Sequence, residues 1–306
     1  MKNAKKTRTT DEILMGSSRK RRAVEVFNYL LLTFMGVISL LPVWHILMKS
    51  FSAPESVEAG LVKLLPVNFS TFSYEFILQK KEFYTAFFVS VKRVLLGVPL
   101  QLLCTILAAY PLSKEDSQLY GRRWYVTLFI ITMVFSGGMI PTYMVVKYTG
   151  LLNTIWSLIL PGAVSVFNIL ILMNFFRDLP KEIEESALID GAGHFTIMAR
   201  LFLPLAKPAL ATIVLFIFVN HWNSWFDGLI YMSLQKDFPL QTYLQSILTV
   251  PDIQNMTTEQ LSQLGKVSRA ATNAAQIVIS SVPILIIYPF LQRYYTKGLT
   301  LGSVKG

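Results

Sequence analysis

Six long apolar segments constrain this chain more than any other feature of its sequence. Each is about twenty residues or longer, the length that an α-helix needs to cross the hydrocarbon core of a bilayer. Lipid offers no hydrogen bonds to a backbone, so such segments are expected to be helical. The segments are predicted at residues 24–48, 92–112, 124–146, 156–176, 208–229 and 274–294. With 53% hydrophobic and only 15% charged residues, the chain is also more apolar than a soluble domain needs to be.

These segments predict an all-α integral membrane protein with six transmembrane helices and both termini in the cytoplasm. Residues 1–22 are expected to form a basic cytoplasmic tail, residues 23–297 the six-span domain, and residues 298–306 a small, flexible tail. Most of the 28 Lys and Arg residues fall on the side that this orientation makes cytoplasmic, as the positive-inside rule requires. Lys92 and Arg93 are expected at the outer edge of the second span, reaching the surface with their long side chains.

Several classes of function are excluded by what the sequence lacks. The net charge of +10 is spread over loop ends, with no basic helix or zinc spacing that would read nucleic acid. The three histidines, His45, His194 and His221, lie in different segments, and Cys104 is the only cysteine, so neither a metal site nor a disulfide is expected. No Gly-x-x-x-x-Gly-Lys-Ser/Thr sequence occurs, so the chain cannot hold a nucleotide by that loop.

A charged stretch at residues 177–207, between the fourth and fifth segments, has the design of a docking element. Its carboxylates would each cost a few kcal/mol in hydrocarbon, so it is expected at a membrane surface. Pro180 suits the start of a helix and Gly191 its end, and a second short helix is expected over residues 195–202. The alternative is an amphipathic linker on the headgroups, but an anionic leaflet favours bases rather than these acids.

Two further features are candidates for a solute path. The outer half of the fifth segment carries aromatic rings beside amide and carboxylate groups, a combination that suits sugars, whose C–H faces stack on rings while their hydroxyls bond to polar groups. These residues are Asn220, His221, Trp222, Asn223, Trp225 and Asp227. The alternative for them is an outer aromatic belt with one buried polar network. Ser136, Gly137 and Gly138 weaken the third segment, either beside a cavity or for close helix packing.

The charged stretch resembles the "EAA" signature of binding-protein-dependent ABC importer permeases. The matching residues are Glu185-Ser186-Ala187, Gly191 after three more residues, and Leu201-x-Leu203-Pro204 after nine more, with Ser186 and Leu201 departing mildly from the usual pattern. In that family this loop carries the coupling helix, which seats in a groove of the cytoplasmic ATPase. The resemblance therefore implies an ATPase-coupling role for Glu184, Glu185, Ser186, Ala187, Asp190, Gly191, Leu203 and Pro204.

The resemblance covers nearly the whole chain and is strongest to the carbohydrate-uptake permeases of the maltose type, in the subgroup that handles complex oligosaccharides. It rests on the end of the second segment, the Ser-Gly-Gly break, His221-Trp222-Asn223 and the C-terminal residues. It implies a multi-pass protein of the bacterial cytoplasmic membrane that is a transport subunit and not an enzyme.

The implied partners are a second permease that completes a heterodimer, two cytoplasmic ATPase subunits that carry ATP and Mg, an extracytoplasmic binding protein and an oligosaccharide. No cofactor is expected on this chain itself. Within the same class, a peptide or amino-acid permease is the alternative. From another class, an ion-gradient-driven transporter would need a carboxylate within the membrane, for which Asp227 is the only candidate.

Overall fold

The computed structural model describes residues 18–249 and 268–302. Within these ranges the regular structure is helical, apart from one antiparallel bridge between Ser52 and Phe69. The predicted all-α class is confirmed. The predicted basic tail lies largely outside the described residues, since helix α1 already begins at Ser18. Of the predicted C-terminal tail, residues up to Gly302 continue the last helix, and residues 303–306 lie outside the described ranges.

The α-helices of the described residues, numbered along the chain, are α1 (Ser18–Ser50), α2 (Pro54–Glu58), α3 (Phe72–Leu78), α4 (Lys81–Ser113), α5 (Arg122–Val134), α6 (Met139–Tyr148), α7 (Val166–Arg177), α8 (Lys181–Ile189), α9 (His194–Leu205), α10 (Lys207–Asn223), α11 (Phe226–Tyr231), α12 (Leu240–Thr249) and α13 (Arg269–Gly302). Two 3₁₀ turns, Ile155–Leu158 and Leu160–Gly162, precede α7. Helix α9 includes a π-helical turn at Met198–Phe202.

By length and composition, three helices can each cross a membrane: α1, α4 and α13. Three further pairs qualify only as bent spans, so the described residues hold between three and six spans. The bends are 110° between α5 and α6, 49° between the 3₁₀ turns and α7, and 83° between α9 and α10. The break between α5 and α6 falls on Ser136-Gly137-Gly138, as the sequence predicts.

Two predicted boundaries are corrected by the structure. The second span was expected from about residue 92, but α4 begins at Lys81 and runs unbroken for 33 residues. The fifth was expected to continue to residue 229, but α10 ends at Asn223, and α11 is a separate helix after an extended residue, Ser224.

The described residues form two compact units. The first contains the chain up to Tyr74 together with the start of α13, and its small core is built from Met48, Val57, Val62 and Ala271. The second runs from Glu75 through α12 and includes the rest of α13. In this unit α4 packs against both α7 and α10, and side chains from all three helices and from α9 share one core.

Candidate functional site

The charged stretch folds into two helices joined by a glycine bend, as predicted. Helix α8 follows Pro180 and ends at Ile189. Gly191 has φ +80°, a conformation that L side chains rarely adopt, and this turns the chain into α9. Since α9 meets α10 at 83°, the stretch turns sharply away from the axis of α10.

Helix α8 is divided into an inner and an outer face. Ile183 and Ala187 are half-buried, and Ala187 packs against the core of the second unit. One turn apart on the opposite face, Glu185 and Ile189 are exposed, Ile189 at 86%. Beyond the bend, Phe195 on α9 is also exposed, at 72%. An apolar side chain that stands in solvent beside carboxylates is typical of a surface that meets a partner.

The predicted coupling residues are distributed between these two faces. Ala187 and Leu203 contact the core, whereas Pro204 and Gly191 are exposed. The exposed acidic and hydroxyl residues of the set are Glu185, Ser186 and Asp190. Glu184 points inward, with its side chain only 14% exposed.

The inward Glu184 binds a buried lysine. Lys114, the residue after α4, places Nζ 2.6 Å from Glu184 Oε1, and its side chain is 7% exposed. The same Nζ lies 4.1 Å from the ring centroid of Tyr110 and 4.3 Å from that of Phe202. Burial lowers the pKa of Lys114, while the hydrogen bond and charge of Glu184 oppose that shift. The sequence alone does not reveal this role of Lys114, because Glu184 lies 70 positions further along the chain.

A second ion pair joins the same two elements at the surface. Lys181 of α8 donates to Glu115, and both side chains are exposed. The pair lowers the pKa of Glu115 and raises that of Lys181, first through the hydrogen bond and then through the charge of the partner. Because water screens both groups, this pair contributes little to stability.

In the first half of α4, Arg93 is the centre of a buried network with polar residues of the predicted fifth segment. The guanidinium binds both carboxylate oxygens of Asp227, with Nη1 at 3.2 Å from Oδ1, and its Nε lies 3.4 Å from His221 Nδ1. Asp227 also accepts from Ser224 Oγ at 2.8 Å and from the backbone N–H of Gly228 at 2.9 Å. The prediction that Arg93 reaches the outer surface is wrong, because its side chain is 3% exposed. Lys92 is exposed.

The structure separates the predicted sugar-path residues of the fifth segment into two groups. His221 and Asp227 belong to the buried network, and Trp222 is buried with its indole N–H donating to Ser280 O at 2.8 Å. The others, Asn220, Asn223 and Trp225, line an open cavity of about 790 Å³. Its remaining lining residues are Leu215, Phe216, Val219, Ser224, Phe226, Ile284 and Tyr288. Aromatic rings and two side-chain amides therefore line the same cavity.

The Ser-Gly-Gly break does not line this cavity. Gly138 has φ +84°, and a Cβ built on it meets nothing within 4 Å, so no helix of residues 18–249 or 268–302 packs closely on it. Among the described residues, no group of His, Cys, Asp and Glu has the arrangement of a metal site.

Comparisons with known proteins identify the class of this molecule. No protein-family model matches the chain. It is 39% identical to Protein LplC of Bacillus subtilis (strain 168), over 95% of this chain and 98% of that one. It is 37% identical to the polygalacturonan/rhamnogalacturonan transport system permease protein YtcP of the same organism, over 94% of this chain and 100% of that one. The chain also matches a chain in the crystal structure of a bacterial ABC transporter involved in the import of the acidic polysaccharide alginate. The two are 32% identical with a TM-score of 0.79, and the match covers 90% of this chain and 98% of that one.

These relatives are transport permease subunits, so the chain is a membrane transport subunit and not itself an enzyme. The chain belongs to the family of sugar and oligosaccharide ABC transporter permeases.

Proposed function

We propose that this chain is one half of a heterodimeric, ATP-driven pore for oligosaccharides, and that α8 is its coupling helix. The observation that carries the proposal is the outer face of α8, where Glu185 and Ile189 are exposed on a helix whose other face packs on the core. A helix-in-groove contact needs this combination, because the inner face fixes the helix while the outer face binds.

The geometry supports six spans, with α8 and α9 at the cytoplasmic surface. Helix α10 has 17 residues, or about 26 Å, so it nearly crosses the ~30 Å core alone. The 83° bend then lets α9 lie along the surface. Helix α5 is shorter, about 20 Å, but the four non-helical residues 135–138 can add up to ~13 Å before α6 turns aside.

The cavity beside Trp225 is the proposed solute contact of this chain. Trp225 and Phe226 offer ring faces, while the Asn220 and Asn223 amides offer donors and acceptors for hydroxyls. The substrates named for YtcP and for the alginate transporter are acidic polysaccharides. Oligosaccharides of uronic acids are therefore the first cargo to test, and a peptide or amino acid is the alternative.

The remaining parts of the importer would be separate proteins. Permeases of this family pair with a second permease and an extracytoplasmic binding protein. ATP and Mg would be held by two cytoplasmic ATPase subunits. Closure of these subunits would move α8 of this chain and the matching helix of its partner, so that the pore alternates between its two openings.

The proposal is tested by purifying the tagged chain from its native membrane in mild detergent, as wild type and as Glu185→Lys. We expect the wild type to retain an ATPase subunit. The amount of ATPase that co-purifies with the variant should be at least tenfold lower, while the recovery of the second permease is unchanged. Glu55→Lys makes the same charge change on α2, outside the coupling stretch, and is expected to retain the ATPase. Equal ATPase recovery with Glu185→Lys would contradict docking through α8.

A further inference from the structure

Helix α4 carries one buried cation in its first half, Arg93, and a second, Lys114, directly follows its last residue. Of the described Lys and Arg side chains, only Arg93 and Lys114 are buried. They stand 21 positions apart, which is about 31 Å along a helix and so close to the thickness of a bilayer core. The helix between them is continuous, even through Pro99 and Pro111.

Each cation joins α4 to a different functional region. Lys114 bonds Glu184 on α8 and lies over the Phe202 ring on α9, so it holds both helices of the coupling stretch to the end of α4. Arg93 binds Asp227 on α11, next to the residues that line the cavity. Two positions about 31 Å apart along one helix are thus bonded to the proposed ATPase contact and to the proposed solute contact.

We propose that the Lys114–Glu184 pair is the joint through which movement of α8 reaches α4. Helix α4 then transmits this movement to the outer corner, the turn between α10 and α11 that Arg93 holds through Asp227. The inference rests on the proposed docking of α8 on an ATPase. It assigns Lys114 and Glu184 as positioning residues that touch neither nucleotide nor solute.

The physical reason is that this pair resists separation. A charge pair with little access to water is attracted more strongly than one at the surface, and parting it would leave the buried Lys114 ammonium and the half-buried Glu184 carboxylate without their partners. The aromatic faces around Nζ add an attraction for the same cation. The neighbouring Glu115–Lys181 pair joins the same elements but is exposed, so it can open at little cost.

The experiment measures the response of the outer corner to ATP in the assembled complex. In a Cys104→Ser background, Leu229→Cys places one thiol on α11, where the native side chain is 50% exposed. Its rate of maleimide labelling is compared with and without ATP plus vanadate, in nanodiscs. The retained ATPase and the thermal midpoint are measured in the same samples.

The decisive variant is Lys114→Met with Glu184→Met. It leaves no unpaired buried charge, and such replacements are often neutral for stability. We expect retained ATPase and a midpoint close to wild type, with the ATP-dependent change in labelling reduced at least fivefold. The matched control, Lys181→Met with Glu115→Gln, should keep that change within twofold of wild type.

A double Met variant that keeps the full ATP-dependent change would overturn the joint. A wild-type complex in which Leu229→Cys does not respond to ATP would also overturn it, because α4 would then carry no movement outward. If the double Met variant does not assemble, Glu184→Gln is read by the same criteria, because it removes the charge attraction of the pair while its amide oxygen still satisfies buried Lys114. Failure of the wild type to retain any ATPase would instead refute the proposed function, and the joint with it.

Discussion

At Gly97 the backbone of α4 lies directly against the imidazole of His221. A Cβ added there would stand 2.7 Å from Nε2, inside the closest distance that real contacts show. Nε2 is buried with no hydrogen-bond partner among the described residues, and the ring is held on its other side by Arg93. The ring therefore has little freedom to move away.

Gly97→Ala is accordingly predicted to destabilise the second unit by about 1–3 kcal/mol, the usual cost of overpacking. The measurement is the thermal midpoint of the purified protein in detergent. Gly36→Ala is the matched control, since it is also a helical glycine but a Cβ there meets nothing within 4 Å. A midpoint equal to wild type for Gly97→Ala would show that the His221 ring can shift.

Gly191 and Gly193 offer a second matched pair at the bend between α8 and α9. Neither would bring a new Cβ within 4 Å of another atom, but Gly191 has φ +80° whereas Gly193 has φ −74°. Gly191→Ala should therefore cost about 1 kcal/mol and disturb the bend, while Gly193→Ala should not. ATPase retention in the pull-down is expected to fall only for Gly191→Ala, and equal retention would mean that the bend is not needed for docking.

Among the elements, the turn between α10 and α11 is held by an ion pair between Arg93 on α4 and Asp227 on α11. Arg93→Met removes the cation and leaves Asp227 with only Ser224 and the Gly228 N–H as donors. We expect a loss of ~3 kcal/mol in unfolding free energy, near the lower end for a broken buried pair, because Asp227 is partly exposed. Lys92→Met changes the exposed neighbour and should stay within ~0.5 kcal/mol. Similar midpoints for both variants would refute the structural role of the pair.

The short-range features of this architecture were predictable from the sequence, but the ion pairs between distant residues were not. Pro180 and Gly191 predict α8 and its end because capping and positive φ are properties of single residues. The bond between Lys114 and Glu184 joins residues 70 positions apart, and that between Arg93 and Asp227 spans 134. Nothing in one sequence pairs such residues. For this reason Arg93 was assigned to the surface, although it lies twelve positions into α4.

For the whole molecule, α1 shows how much of the structure depends on its surroundings. Every side chain from residue 24 to residue 44 is exposed, and the other residues that the structure describes bury none of the apolar window of α1. Water would penalise this surface heavily, whereas lipid or a second permease would cover it. The fold thus requires a membrane, and the orientation in that membrane is the last prediction.

The six-span arrangement predicts alternating sides for four exposed positions. In a Cys104→Ser background, single cysteines replace Gln118, Tyr148, Glu182 and Lys236. Tyr148 is the last residue of α6, and the other three follow α4, α7 and α11 in the chain. A membrane-impermeant maleimide added to intact protoplasts should label Tyr148→Cys and Lys236→Cys, while the other two should react only after permeabilisation. Labelling of the denatured protein corrects for intrinsic reactivity.

The 110° bend makes α5 and α6 the critical pair, because a re-entrant loop would bring Tyr148 back to the side of Gln118. Protection of Tyr148→Cys equal to that of Gln118→Cys would therefore refute the six-span count, whereas its labelling would establish that the non-helical residues 135–138 carry the chain across.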